Sequence, residues 1–286
     1  MEYREAQADF HNHWTTKSRV IDPFDASSKI WIELGTDGIA GLVNYGDRRY
    51  EACAEEAKKY ESIINTGNAL IVPSLIGYVL ILKGEEVPTA DGDLLIMGTR
   101  EGIHLKAGRS LEDTMKEARD ENGVIIITTP YSGIKRSNLG NRIKENPKLI
   151  EYVDAVEVHN GEAREATNRK SLELHQWALC RELKSIENIK PSQKIGAVSS
   201  SDGHSYHEVG RSYTRIKIPQ LEELKTANQV TDAIREGVRN SLFARDLNKE
   251  SSKVGAVTHA SIIAYMILAD KLGIKVSRGD KEALRQ

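Results

Sequence analysis

The sequence predicts an α/β protein with a parallel sheet covered by helices, and two observations carry that prediction. Short apolar runs typical of buried strands alternate with amphipathic runs typical of helices through the first two thirds of the 286 residues. Polar residues of metal-ligating types follow several of these apolar runs. Since the carboxyl ends of strands in β–α units share one face, we expect a binding site there, on a sheet that is open or closed into a barrel.

The predicted elements follow one another along the chain. A first strand ends at a histidine pair, and later strands are predicted at 30–35, 69–75, 78–82, 94–97, 124–128, 155–158 and 195–198. Helices are predicted at 48–62, 111–121 and 163–183. The helix at 111–121 stops at Asn122-Gly123, a pair that commonly ends a helix.

We expect one domain over residues 1–240 and a separate extension over 241–286. The extension begins with a polar, serine-bearing connection near 249–253 and continues as a helix at about 256–272. This helix is expected to cover the barrel or to mediate a homo-oligomer, because it carries apolar residues at Ile262, Ile263, Tyr265, Met266 and Leu268.

Composition limits the classes of function. The chain is 39% hydrophobic and 29% charged with a formal net charge of -2, which argues against bulk nucleic-acid binding and against a membrane surface. The apolar stretch at 260–268 is too short to span a bilayer. Cys53 and Cys180 fall in separate helix-like stretches, which argues against a disulfide framework. The charged N-terminus lacks the pattern of a signal peptide, and the sparse, separate cysteines favour a reducing cytoplasm.

Two short histidine motifs near opposite ends of the chain are the strongest functional signal. His11 and His13 lie at positions i and i+2 at the end of a strand, so both imidazoles point the same way. Asp202 and His204 have the same spacing after the strand at 195–198. If both strand ends open onto one face, these side chains form a single metal site, for which imidazole and carboxylate are suitable ligands.

Two further places carry candidate residues. Glu86 follows the strand at 78–82 and could bridge metal ions. Glu157 and His159 are predicted to share one face of the strand at 155–158, either as a buried hydrogen-bonded pair or as catalytic groups.

The order of these motifs resembles the polymerase-and-histidinol-phosphatase (PHP) superfamily. The resemblance covers roughly residues 8–240 and rests on six short motifs in the family's order: His11-Asn12-His13, Thr36-Asp37-Gly38, Gly84-Glu85-Glu86, Thr129-Pro130, Glu157-Val158-His159-Asn160-Gly161 and Ser201-Asp202-Gly203-His204. It implies a distorted (β/α)7 TIM-like barrel with an added C-terminal helix and a centre of up to three metal ions. It also implies hydrolysis of phosphate esters by metal-activated water.

The resemblance implies a complete set of ligands for only one of the three metal positions. It implies one well-specified metal position held by His11, His13, Glu86 and Asp202, and a second at which Asp93 and Thr129 replace two histidines. At the third position Arg19 and Gly38 replace an aspartate and a histidine, which leaves His204 without its usual partners; Asp37 stays a candidate ligand. Arg19 either binds phosphate or is simply exposed in a shifted loop. The candidate phosphate-binding residues are Arg19, Lys135, Arg136 and Arg211.

The leading hypothesis is therefore a phosphoesterase that acts on a small phosphorylated molecule or nucleotide, with zinc, manganese or iron at one or two positions. The alternative is a PHP-like protein that binds a phosphorylated ligand or partner without efficient turnover. A metal-dependent amidohydrolase ranks lower, because it would need more histidines on later strands. A purely structural protein leaves the ligand types at the strand ends unexplained.

Overall fold

One mixed sheet, curled into a nearly closed barrel, organises the part of the chain that the structure describes. The computed structural model describes residues 2–14, 21–131, 138–184, 195–205 and 208–241, with only the backbone at 181–184. Its strands are β1 (Tyr3–Asn12), β2 (Ile39–Asn44), β3 (Ile64–Asn65), β4 (Ala69–Pro73), β5 (Tyr78–Thr89), β6 (Gly92–Met97), β7 (Val124–Ile127), β8 (Ala155–Asn160), β9 (Gly196–Ser200) and β10 (Thr214–Pro219).

The strand order is β10-β1-β2-β5-β6-β7-β8-β9, and β3 and β4 form an antiparallel pair beside β5. The α/β barrel class is confirmed, but the sheet is mixed. The pairs β1–β2, β2–β5, β7–β8 and β8–β9 are parallel, whereas β1–β10, β5–β6 and β6–β7 are antiparallel. The reason at β5–β6 is a tight turn between the paired residues Thr89 and Gly92, since so short a connection reverses the chain.

Six α-helices lie in the described part of the chain: α1 (Pro23–Leu34), α2 (Arg49–Ala57), α3 (Leu111–Asp120), α4 (Leu139–Glu145), α5 (Glu165–Lys184) and α6 (Ala227–Arg239). The barrel interior is filled by side chains such as Phe10, Leu82, Leu95 and Val198. Two further apolar clusters pack on the other face of the sheet, against the helices. Buried polar side chains, among them His11, Glu86 and Glu157, lie beyond this apolar interior, toward one end of the barrel.

The strand predicted at 30–35 is wrong, because these residues form the end of helix α1. Ile30 and Leu34 are buried at helical spacing while Ile32 is 66% exposed, which is the pattern of an amphipathic helix. The side chain of Asp22 accepts hydrogen bonds from the backbone N–H groups at the start of α1, and Pro23 occupies the first turn. An Asp-Pro pair before an apolar run was the signal for this helix in the sequence.

The predicted C-terminal extension lies outside the described residues beyond Ser241. The helix predicted at 256–272 and its expected role in a homo-oligomer therefore stay predictions. Among the described helices, none is both long enough and apolar enough to cross a membrane.

The two cysteines should differ sharply in reactivity. Cys53 is fully buried in α2, and burial raises the pKa of its thiol to about 12, whereas Cys180 is exposed on α5. An aromatic disulfide reagent at about pH 8 should therefore modify one thiol per native chain and both thiols in denaturant. Rapid modification of both thiols in the native protein would contradict the packing of α2.

Candidate metal centre

Four side chains that are far apart in sequence meet where β1 and β9 end, one of them being Glu86 within β5. His13 Nε2 lies 3.1 Å from His11 Nε2 and 3.2 Å from Glu86 Oε2. Asp202 Oδ1 lies 3.4 Å from His11 Nε2 and 3.7 Å from His13 Nε2. His11, His13 and Asp202 form a group whose ligand atoms all lie within 4.8 Å of one another. Glu86 approaches this group from β5.

The spacing of the His11, His13 and Asp202 ligand atoms fits one divalent ion, and Glu86 lies beside them. Nitrogen and oxygen ligands about 2.1 Å from a metal ion lie roughly 3–4 Å from each other, and the four contacts above fall in this interval. All four residues are at most 9% exposed. Because carboxylates are rarely buried without a compensating cation, the donor set is suited to zinc, manganese or iron(II).

The backbone brings the two histidine motifs together directly. His13 N–H donates to Gly203 O at 2.6 Å and Gly203 N–H donates to His11 O at 3.2 Å, so the loop after β9 continues the pairing of β1. A Cβ at residue 203 would lie 2.9 Å from Asn12 Oδ1, which is why glycine is needed there. The end of the first motif is thus held against the second.

An irregularity in β1 aims the histidines into the barrel. Asp9 pairs with Ala40 but Asn12 pairs with Leu42, so β1 has one residue more than β2 over this step. Such a bulge changes which residues face inward. Phe10 packs in the interior core, and the next residue, His11, also points inward toward the site.

The two histidines have opposite pKa shifts. Burial by itself lowers the pKa of His11, but the charges of Asp202 and Glu157 and a hydrogen bond with Glu157 raise it well above its ordinary value. Burial lowers the pKa of His13, and the charges of His11 and Arg49 lower it further, against the attraction of Glu86. These opposite directions favour a positive charge on His11 and a neutral His13 in the metal-free protein.

Asp202 is placed by a turn that its neighbours hold in position. Its φ of 53° is in the left-handed region, an unusual conformation for a residue other than glycine. The buried carboxylate of Asp9 accepts hydrogen bonds from Ser201 N and Gly210 N, both at 2.9 Å. Burial raises the pKa of Asp9 to about 6. Asp9 thus joins β1 to the backbone on either side of the loop that carries Asp202.

The predicted pairing of Glu157 and His159 on one strand face is wrong. Glu157 pairs with Val198 and His159 with Ser199, so β8 contains a bulge between them. Glu157 points inward and contacts His11, whereas His159 Nδ1 lies 3.1 Å from Asn168 of α5. Asn160 therefore takes the inward place beside Glu157, with its amide 3.1 Å from Glu157 Oε2.

Two other predicted residues lie near the cluster. The His204 ring centroid is 5.1 Å from that of His13, and the rings are tilted by 31°. Asp93 pairs with Pro88 across β5 and β6, and it shares the face of the sheet that bears Glu86 and Leu95. Both stay candidates for a further ligand position.

Asp37 lies at the opposite end of the barrel. It precedes β2, and Arg4 Nη1 contacts its carboxylate at 3.6 Å. The six residues of β2 separate it from the carboxyl face by roughly 20 Å. The motif at 36–38 therefore does not contribute to the cluster, and at the carboxyl end of β2 the chain instead has Asn44 and Tyr45. The Tyr45 ring centroid lies 6.0 Å from that of His13.

Only one of the four candidate phosphate-binding residues is described. Arg211 Nη1 lies 2.9 Å from Glu208 Oε1 and 3.8 Å from Glu162 Oε1, so two carboxylates already balance its charge. Arg19, Lys135 and Arg136 lie outside the described residues.

Arg49, which the sequence analysis did not identify, is a second cation near the site. It begins α2 directly after the carboxyl end of β2, is 7% exposed, and has Nε 2.7 Å from Asp47 Oδ2. Its position after the strand-ending segment Asn44–Asp47 was the signal that could have identified it. A buried guanidinium at this face suits an anionic substrate.

A solved structure shows the same architecture. It is described as a two-domain protein containing a predicted PHP-like metal-dependent phosphoesterase, from Bacteroides vulgatus ATCC 8482. The match has a TM-score of 0.50 at 16% identity, covers 84% of this chain and spans 65% of the length of that one. No family model and no curated protein matches the sequence.

The fold and the site together define a class. The chain is an α/β protein with a PHP-like fold, and its nearly closed barrel carries a His-His-Asp group that could hold a metal ion.

Proposed function

We propose that the protein hydrolyses phosphate esters of small molecules at the metal centre formed by His11, His13, Glu86 and Asp202. The observation that carries the proposal is the buried His11-His13-Asp202 group at the carboxyl face of a PHP-like barrel. A divalent ion bound there would supply Lewis acidity, lowering the pKa of water and neutralising phosphoryl charge. The reaction forms a bond from water oxygen to phosphorus and breaks the ester P–O bond, releasing phosphate and an alcohol.

The surrounding residues suit an anionic substrate. Arg49, paired with Asp47 at 2.7 Å, places a buried guanidinium on the side of the site where β2 ends. The barrel mouth thus combines a metal-binding group with a guanidinium, the pair of features that would hold a phosphoryl oxygen and keep it oriented. The net charge of -2 favours a small molecule over a nucleic-acid polymer.

Phosphatase assays with a panel of phosphomonoesters and phosphodiesters, each with Mn²⁺ or Zn²⁺, test the proposal. We expect metal-dependent release of phosphate or alcohol, and a decrease of kcat/KM by at least about 100-fold in His13→Ala. The control is His104→Ala, which removes a partly buried histidine that contacts Glu85 on the outer side of the sheet. The absence of turnover with every metal and substrate class, at full metal loading, would refute the proposal.

The second candidate function is binding of a phosphorylated ligand without efficient turnover. It is favoured by Asp93 and Thr129, which stand where the resemblance implies two histidines of a second metal position. Metal analysis of the purified protein separates the two, because two ions per chain would provide the bimetallic clamp typical of phosphoryl transfer. One ion or none, together with tight binding of phosphate and no turnover, would favour the binding role.

A further inference from the structure

Glu157 has a place in the site that the ligand assignment does not explain. Its side chain is fully buried, and it lies behind His11 on the side away from the other ligand atoms. Glu157 Oε1 is 3.1 Å from His11 Nδ1, while His11 Nε2 faces His13 and Asp202. The carboxylate therefore contacts the imidazole nitrogen that does not face the ligand group.

The other oxygen of Glu157 is fully used by hydrogen bonds. Glu157 Oε2 accepts from Thr128 Oγ1 at 2.6 Å, from Thr129 N–H at 3.2 Å and from Asn160 Nδ2 at 3.1 Å. Three donors on Oε2 use both of its lone pairs and leave this oxygen none for a cation. Glu157 is thus held as an acceptor for His11 rather than as a metal ligand.

Asn160 connects the same arrangement to Asp202. Its Nδ2 donates to Asp202 Oδ2 at 3.3 Å, the oxygen that does not contact the histidines. Its Oδ1 accepts hydrogen bonds from the backbone N–H groups of residues 162 and 163, both at 3.0 Å, so the orientation of the amide is fixed. One side chain therefore braces both Glu157 and Asp202.

We propose that Glu157 is a positioning residue for the metal centre: it holds His11 with Nδ1–H bound and Nε2 directed at the ion, and Thr128 and Asn160 complete its support. The inference rests on the proposed metal centre and deepens it. Carboxylate partners of metal-binding histidines fix the ring orientation and increase the basicity of the coordinating nitrogen. Thr128, directly after β7, thus supports the first metal position: it donates to Glu157 Oε2 and lies 3.2 Å from His11 Nδ1.

Metal binding by Glu157→Gln tests the proposal without the need for a substrate. The glutamine amide cannot accept from His11 and from three donors together, so we expect the affinity for Mn²⁺, measured by calorimetry, to decrease by about 10–100-fold. In the metal-free protein, the hydrogen-bonded Nδ1 proton of His11 should give a downfield, slowly exchanging NMR signal. This signal should be lost in Glu157→Gln.

Glu85→Gln is a closely matched control. Glu85 is also a buried carboxylate, with Oε1 2.6 Å from His104 Nδ1 and Oε2 accepting a backbone N–H, but it lies on the outer face of β5. It should keep the affinity of the wild type for Mn²⁺. If Glu157→Gln does not fold, Thr128→Val serves as the test variant and should weaken Mn²⁺ binding. Thr128→Ser, which keeps the hydroxyl, should bind Mn²⁺ like the wild type.

The outcomes separate this inference from the proposed function. The positioning role would be overturned if folded Glu157→Gln bound Mn²⁺ within about twofold of the wild type. Thr128→Val takes its place if Glu157→Gln does not fold. This holds even if the enzyme hydrolyses esters. Weakened binding in the variants of a protein that hydrolyses no ester would support the positioning role and refute the hydrolase. Failure of the wild type to bind Mn²⁺ or Zn²⁺ would overturn both.

Discussion

Lowering the pH from about 8 to about 6 should weaken the binding of Mn²⁺ or Zn²⁺, by up to about tenfold per pH unit. The pKa of His11 is raised well above its ordinary value by Asp202 and Glu157 against the effect of burial, so this imidazole is protonated in the metal-free protein. The lowered pKa of His13 means that this ring is already neutral. An ion that binds both rings must therefore displace one proton from His11. At lower pH the proton competes more strongly, so the metal binds more weakly.

Calorimetric titrations in buffers with different ionisation enthalpies measure this proton directly. We expect release of about one proton per ion bound at neutral pH, with the affinity increasing as the pH rises. His11→Gln removes the site of the proton, so the release should disappear along with most of the affinity. A constant affinity over this pH interval, with no proton released, would contradict the assignment of His11.

Replacing Asp154 with asparagine should cost about 3–5 kcal/mol of the free energy of unfolding. The fully buried carboxylate of Asp154 lies 2.9 Å from Arg119 Nη1, 2.7 Å from Arg239 Nε and 3.8 Å from Arg235 Nε. It also accepts the backbone N–H of Ile125 at 2.9 Å. Its removal would leave three guanidinium groups, each at most 20% exposed, without the charge around which they gather.

Urea unfolding followed by circular dichroism measures the loss, and Asp232→Asn is the control. Asp232 also pairs with Arg235, at 3.0 Å, but it is 66% exposed, so we expect a change of no more than about 1 kcal/mol. Equal losses of unfolding free energy in the two variants would contradict a larger contribution from the buried carboxylate of Asp154.

Much of the barrel could be predicted from the sequence because its strands are buried on both sides. The strand β7 and the helix α3 agree with the predicted positions to within a residue or two. The antiparallel course of β6 could not be predicted, since an apolar run carries no information about strand direction. Ile30 and Leu34 were misassigned because a short apolar run fits a strand or a buried helix equally well.

Part of the candidate site could likewise be predicted from the sequence, and part could not. His11, His13 and Asp202 could be predicted to share a site, because side-chain types at strand ends and a spacing of two residues are visible in the sequence. That Asn160 rather than His159 faces the barrel interior could not be predicted. It depends on a bulge that appears only when β8 pairs with β9. Asp37 was misplaced because a motif matched in order can still fall at the wrong end of its strand.

The joining of β1 to the loop after β9 has a consequence for the order of folding. The Asp9–Ser201 hydrogen bond closes a separation of 192 residues, and the ligand group includes residues on both sides of that closure. Contacts of such long range form late, because the loop entropy is lost before the contact stabilises the chain. A nascent chain that has not yet supplied Asp202 holds only part of the ligand set. Capture of the ion should thus report that the barrel has closed, and added metal should slow unfolding without accelerating the early collapse of the chain.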